Sequence, residues 1–120
     1  MILAVLDDLM FTSKIKTAAS RLGVAITFAR SAEAAIAEMR RTAPSLVILD
    51  LNSPRADALA VVSSMKADPA LAAVRTVGYV SHVQKDVIDA ARAAGVDEVL
   101  ARSAFSAELP DILSRPGMTS

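Results

Sequence analysis

Residues 46–57 decide the fold, and they read LVILDLNSPRAD. The run from Leu46 to Leu49 is apolar without polar alternation, which is typical of a strand covered on both faces in a parallel sheet. The residues Asn, Ser and Pro that follow in this stretch predict a turn. Asp50 is therefore expected at the carboxyl end of a buried strand, which is the edge where open α/β sheets bind ligands.

Three further apolar runs are each followed directly by charged or hydroxyl side chains. They are residues 2–6 before Asp7 and Asp8, residues 76–80 before Ser81, and residues 98–101 before Arg102. The carboxyl ends of parallel strands meet at one edge of a sheet. If these strands are parallel, carboxylates, a hydroxyl and a fixed cation surround Asp50.

Helical patterns separate the predicted strands, and residues 24–28 supply the one strand not yet mentioned. Five helices are predicted. The first begins at an N-cap Thr12 and ends at Gly23, and the second begins after an N-cap Ser31. The third runs from about Ala58 to before Asp68, the fourth from Lys85 to Ala94, and the fifth from Ser106 to about Leu113 with Pro110 inside. Alternation of strands and helices predicts an α/β fold with a doubly wound, five-stranded parallel sheet.

Composition narrows the class of protein. The chain has 120 residues, thirteen basic and thirteen acidic side chains, and no cysteine. This length suits one domain, and the zero net charge offers no broad surface for nucleic acid or an anionic membrane. The absence of cysteine excludes disulfides and fits a reducing compartment, and no apolar stretch is long enough to cross a bilayer. We expect a cytoplasmic protein with one domain over residues 1–114 and a tail over residues 115–120.

The ordered set of strand ends resembles the bacterial response-regulator receiver domain, of the kind best known from chemotaxis. Acids follow strand one, Asp50 follows strand three, a hydroxyl follows strand four and a basic residue follows strand five. Residues 49–58 look like the phospho-acceptor motif of that family, and residues 93–100 are similar to the stretch before its basic residue. The resemblance implies a flavodoxin-like receiver fold with strand order 2-1-3-4-5.

The resemblance also implies a function. Asp50 would accept a phosphoryl group from a phosphohistidine on a histidine kinase or phosphotransfer protein, and the chain would signal through contacts with an output protein. Because the acceptor and the incoming group are both negative, the chemistry favours Mg²⁺, for which Asp7, Asp8 and Asp50 are candidate ligands. By resemblance the backbone carbonyl of Asn52 is a further ligand. Ser81 and Arg102 are expected to contact phosphoryl oxygens.

Several positions depart from the pattern of that family and keep a second hypothesis open. They are Leu6 in place of an acid, His82 in place of a small residue, Val99 in place of an aromatic residue, Arg102 in place of lysine and Ser103 in place of proline. The alternative is a phosphorylation-independent pseudo-receiver that serves as a protein-interaction or dimerisation module. Asp8, taken alone, is also interpreted as a helix-capping residue. By its distance from Gly23, Asp7 is predicted to matter more than Asp8 for metal binding.

A homodimer is also predicted from the sequence. The final helix is expected to be short and interrupted by Pro110, and a short helix would leave apolar surface uncovered near strand five. A two-fold interface formed by helix four, strand five and helix five would cover that surface. Val87, Val99 and Leu109 are the predicted contacts.

Overall fold

A computed structural model describes residues 1–81 and 84–114 of the chain. Within these residues, five strands alternate with five helices. The elements are β1 (Ile2–Val5), α1 (Leu9–Leu22), β2 (Ile26–Ala29), α2 (Ala32–Thr42), β3 (Leu46–Asp50), α3 (Ala58–Ala67), β4 (Arg75–Val80), α4 (Lys85–Ala94), β5 (Glu98–Ala101) and α5 (Arg102–Ser114). No helix in this described part of the chain is long and apolar enough to cross a membrane.

All neighbouring strands of the sheet are parallel, and their order is β2-β1-β3-β4-β5. Side chains of a strand alternate between the two faces of a sheet. Leu46 and Ile48 accordingly pack with α1 and α5, whereas Val47 and Leu49 pack with α2, α3 and α4. The predicted doubly wound fold and its strand order are confirmed, and the run from Leu46 to Leu49 is buried on both faces as expected.

Local signals for helix ends are confirmed at several positions. The Ser31 hydroxyl accepts a hydrogen bond from the Ala34 backbone N–H and caps α2. The helix α4 has the predicted bounds and ends at Gly95, whose φ of 111° lies in the left-handed region that favours glycine. The third helix runs from Ala58 to Ala67, as predicted.

The start of α1 differs from the prediction. The N-cap is Asp8, whose Oδ1 accepts a hydrogen bond from the Phe11 backbone N–H at 3.0 Å. Thr12 lies inside the helix, where its hydroxyl donates to the Asp8 carbonyl at 2.8 Å. Asp and Thr are both good caps, and the carboxylate that comes first along the chain captures the free N–H group.

The last helix also differs from the prediction. It begins directly after β5 at Arg102 and has 13 residues, so it is not short, and Pro110 lies within it. Leu109 is only 3 % exposed and belongs to the core on the α1 side of the sheet. Leu109 is therefore buried within the chain itself, whereas Val87 and Val99 are partly exposed. The homodimer stays a prediction. The predicted tail over residues 115–120 and His82 lie outside the described residues.

Candidate functional site

The carboxyl edge of the sheet brings together most of the residues that the sequence singled out. Asp50 ends β3, Asp8 follows β1 and caps α1, and Arg102 follows β5. Both Asp8 and Arg102 lie close enough to Asp50 to affect its ionisation. Ser81 follows β4, the strand that pairs with β3, and it is exposed.

The Asp50 carboxyl is half-buried, and burial raises its pKa above the usual range. A hydrogen bond from the Asn52 backbone N–H to Asp50 Oδ1, at 2.9 Å, acts in the opposite direction. The Arg102 guanidinium also lowers this pKa, and the Asp8 carboxylate raises it. The acid thus stands in a partly dehydrated position with one cation and one further anion beside it.

The Asn52 side chain joins the loops that follow β3 and β4. Its Oδ1 accepts a hydrogen bond from the Ser81 backbone N–H at 2.6 Å, and its Nδ2 donates to Gln84 Oε1 at 3.0 Å. Together with the bond from its own N–H to Asp50, these contacts fix Ser81 relative to the acid. The sequence assigned only a backbone role to Asn52, so this side-chain role was missed.

Arg102 lies between Asp8 and an aromatic cluster that we define as Phe11, Tyr79 and Phe105. Its Nη2 donates to Asp8 Oδ2 at 3.0 Å, and its guanidinium carbon lies 4.2 Å from the centre of the Phe11 ring. A planar guanidinium suits both contacts, because it stacks on aromatic faces while donating in its own plane. The cation predicted after β5 is therefore present, held in place by Asp8, which caps α1, and by Phe11 within α1.

Asp7 has different partners from those that the sequence predicted. Its Oδ1 accepts a hydrogen bond from Arg30 Nε at 2.8 Å, and Arg55 Nη1 lies 4.0 Å from its Oδ2. In the described part of the chain, no group of three acidic, histidine or cysteine side chains is arranged to hold a metal ion. The predicted set of Asp7, Asp8 and Asp50 is thus not assembled in this structure.

Arg30 was missed by sequence reasoning, although a signal for it exists. It follows β2 directly, and β2 neighbours β1 in the sheet. The rule that placed Ser81 and Arg102 beside Asp50 also places Arg30 beside the acids after β1.

The double role of Asp8 leads to a prediction about stability and pH. The Phe11 N–H, and after it Arg102, lower the pKa of the Asp8 carboxyl. The ionised group therefore stabilises the fold above its unfolded-state pKa, and this contribution is lost as the pH falls through the folded-state pKa. At neutral pH, Asp8→Ala should lower the free energy of unfolding by about 1 kcal/mol through loss of the cap. Asp8→Asn, which keeps a capping oxygen, should lower it less.

Urea unfolding at several pH values measures this effect. The deficit of Asp8→Asn relative to wild type should shrink as the pH falls and should vanish once Asp8 is protonated in the folded protein. A deficit that is independent of pH would show that the charge of Asp8 contributes nothing.

These observations place the chain in a class of proteins that have an open parallel α/β sheet with a partly buried acid at its carboxyl edge. The chain belongs to the response regulator receiver domain family, whose model matches residues 2–114. No curated protein sequence matches the chain.

Solved structures agree with this assignment. A response regulator from Hahella chejuensis has 21 % sequence identity and a TM-score of 0.87, with 99 % of this chain and 98 % of that chain covered. The phosphorylated cyanobacterial phytochrome response regulator RcpA has 26 % identity and a TM-score of 0.78, with 93 % and 86 % covered. The Mn²⁺-bound form of the response regulator Rcp1 has 20 % identity and a TM-score of 0.81, with 99 % and 96 % covered.

Proposed function

We propose that this receiver domain accepts a phosphoryl group on Asp50 from a phosphohistidine of a histidine kinase or phosphotransfer protein, in the cytoplasm. The observation that carries the proposal is the placement of Asp50, half-buried at the end of β3 with Arg102 near it and Ser81 tied to it through Asn52. The phosphorylated state named for RcpA, which is 26 % identical to this chain, supports it.

The transfer is a displacement at phosphorus. An oxygen of the Asp50 carboxylate attacks, the bond between phosphorus and the imidazole nitrogen breaks, and the nitrogen keeps the electron pair of that bond. Little covalent work falls to the protein, so positioning and neutralisation of charge carry catalysis. Arg102 supplies a positive charge beside the reacting oxygens, and the Ser81 hydroxyl is the candidate donor to a phosphoryl oxygen.

Two of the candidate metal ligands fit Mg²⁺ by their chemistry. Mg²⁺ is commonly held in proteins by one or two carboxylates and several waters. Asp8 and Asp50 are two such carboxylates, and Asp8 lies close enough to raise the pKa of Asp50. The Asn52 carbonyl is the third candidate donor. When bound, the ion would neutralise charge between the acceptor and the incoming group. The Mn²⁺ named for Rcp1 supports a divalent cation here.

The arrangement of the acids reverses the expected order of importance of Asp7 and Asp8. Asp7 pairs with Arg30 and Arg55, and Asp8 pairs with Arg102. Of the two acids, Asp8 is the one that affects the ionisation of Asp50. Asp8→Asn should therefore weaken Mg²⁺ binding by about tenfold or more, because even loss of a residue that only orients a metal ligand typically costs about 10–100-fold in metal affinity. Asp7→Asn should change the affinity little. Calorimetric titration measures both affinities. A larger loss in Asp7→Asn would restore the ranking that the sequence suggested.

A partner protein has an accessible approach to this site. Leu9 and Met10, the first two residues of α1, follow Asp8 directly and are 67 % and 86 % exposed. Large apolar side chains that are exposed next to a reactive group are typical of protein-binding surfaces. These two residues are the proposed first contact of the phosphodonor protein.

The direct test is phosphorylation by a small donor. Acetyl phosphate with Mg²⁺ should add one phosphoryl group to the wild-type chain, read as intact mass. The second candidate function, a phosphorylation-independent pseudo-receiver, is favoured by one contact, the pairing of Arg102 with Asp8 rather than with Asp50. A folded chain that gains no mass with any donor would support that alternative.

A further inference from the structure

The hydroxyl of Tyr79 is buried and has no hydrogen-bond partner among residues 1–81 and 84–114. Tyr79 is only 1 % exposed, and its ring is held between Phe105 at 4.8 Å and Phe11 at 5.0 Å, measured between ring centres. A buried hydroxyl without an acceptor destabilises a folded protein, so native structures rarely keep one. Because this hydroxyl lies beside the candidate reactive site, a group bound at that site could supply the missing hydrogen-bond acceptor.

The position of Tyr79 in the sheet points its side chain toward the site. Tyr79 is the direct neighbour of Asp50 in the pairing of β4 with β3. Ile48 and Tyr79 belong to the same core cluster, and because side chains alternate along β3, Asp50 shares the face of Ile48. Asp50 and Tyr79 are therefore side by side on the face that α1 and α5 cover.

The electrostatics of the phenol agree with this placement. Burial is the main cause of its raised pKa, and the next is the Asp50 carboxylate, followed by smaller effects of Arg102 and Asp8. The hydroxyl thus lies within electrostatic range of the three charged groups of the site, although it is hydrogen-bonded to none of them.

We propose that the Tyr79 hydroxyl donates a hydrogen bond to a phosphoryl oxygen once Asp50 is phosphorylated. This inference rests on the proposed function of Asp50. A phosphoryl group brings three strong acceptor oxygens into the space around the two side chains. The donor that is unpaired in the unmodified protein becomes paired, so Tyr79 favours the phosphorylated form of the site.

The test compares Tyr79→Phe with Thr27→Val. Thr27 lies on β2 at the edge of the sheet, and its Oγ1 is the other buried side-chain atom without a partner among the described residues. Each substitution removes one unpaired hydroxyl and keeps the shape of the side chain. In the unmodified protein, both variants should be as stable as wild type or slightly more stable.

Beryllium trifluoride with Mg²⁺ serves as the probe, because it binds carboxylates as a stable mimic of a phosphoryl group. Tyr79→Phe should bind it roughly tenfold more weakly than wild type by calorimetry, as expected for loss of one hydrogen bond to a charged acceptor. Thr27→Val should bind it as wild type does. Tyr79 is the only tyrosine and the chain has no tryptophan, so a red shift of wild-type near-ultraviolet absorption on binding reports the new hydrogen bond directly.

The outcomes separate this inference from the function on which it rests. A wild-type chain that takes neither the probe nor a phosphoryl group would overturn both. A wild-type chain that takes both, with a Tyr79→Phe variant that binds the probe equally well, would overturn the role of Tyr79 alone. A Tyr79→Phe variant that is clearly less stable than Thr27→Val before any probe is added would show that the hydroxyl already has an acceptor, and would also overturn it.

Discussion

Replacing Asp50 with Asn is expected to abolish phosphorylation by acetyl phosphate, with no mass gain under conditions in which the wild type is modified. The amide lacks the anionic oxygen that attacks phosphorus. Asp50 is half-buried and lies near Arg102, whereas Asp57 is exposed on the following loop. The effect should be all or none.

Asp57→Asn is the matched control for this experiment. Asp57 caps α3 through a hydrogen bond from the Ala60 N–H to its Oδ1, and Asn keeps an oxygen at that position. The control should be phosphorylated at the wild-type rate. Mass gain that persists in Asp50→Asn would place the acceptor at another residue and would contradict the proposed site.

The raised pKa of Asp50 adds a pH dependence with a definite sign. The carboxylate, not the acid, is the nucleophile, so the rate of phosphorylation should fall as the pH drops through the raised folded-state pKa. For an acid whose folded-state pKa is raised, the ionised form destabilises the fold. Asp50→Asn should therefore be more stable than wild type at neutral pH, and the gain should disappear as the pH falls and Asp50 becomes protonated.

The fold was predictable because its main signals are local and agree with one another. Apolar runs without alternation marked strands buried on both faces, and Ser31 and Gly95 marked helix ends where the structure has them. The order of the strands came from a family resemblance, because parallel pairing depends on contacts between residues far apart in sequence. The start of α5 was missed because Pro110 favoured the prediction of a short helix. In the structure, α5 runs from Arg102 to Ser114 and continues on both sides of Pro110.

The site was predictable only in part, because side-chain partners depend on where loops and rotamers settle. The topology rule placed Asp50, Asp8, Ser81 and Arg102 at one edge, and it holds. It gave no means of knowing that Asp7 is held by Arg30. The sequence did suggest a helix-capping role for Asp8, but not that the same carboxylate also binds Arg102. Opposite charges pair with whichever partner the backbone brings closest, and that choice is made by three-dimensional geometry.

The largest loss of stability is expected from Phe105→Ala. Phe105 is fully buried, stacks on Tyr79 and lies 5.9 Å from Phe11 between ring centres. Removing a buried phenyl ring leaves a cavity and costs about 3–5 kcal/mol. Because domains of this size are stable by only about 5–15 kcal/mol, the variant should approach the limit of folding at 37 °C. Urea denaturation measures the free energy of unfolding directly.

Phe28→Ala is the matched control, since Phe28 lies on the edge strand β2 and is only partly buried against the same core cluster. It should cost clearly less. Phe105→Ala, studied at a temperature where it is still folded, should also be phosphorylated more slowly than Phe28→Ala. The reason is that Phe11 and Tyr79 lose the ring that supports them, and Phe11 in turn lies beneath the Arg102 guanidinium at 4.2 Å. Equal losses of stability and equal rates in the two variants would show that the aromatic cluster supports neither the core nor the cation beside Asp50.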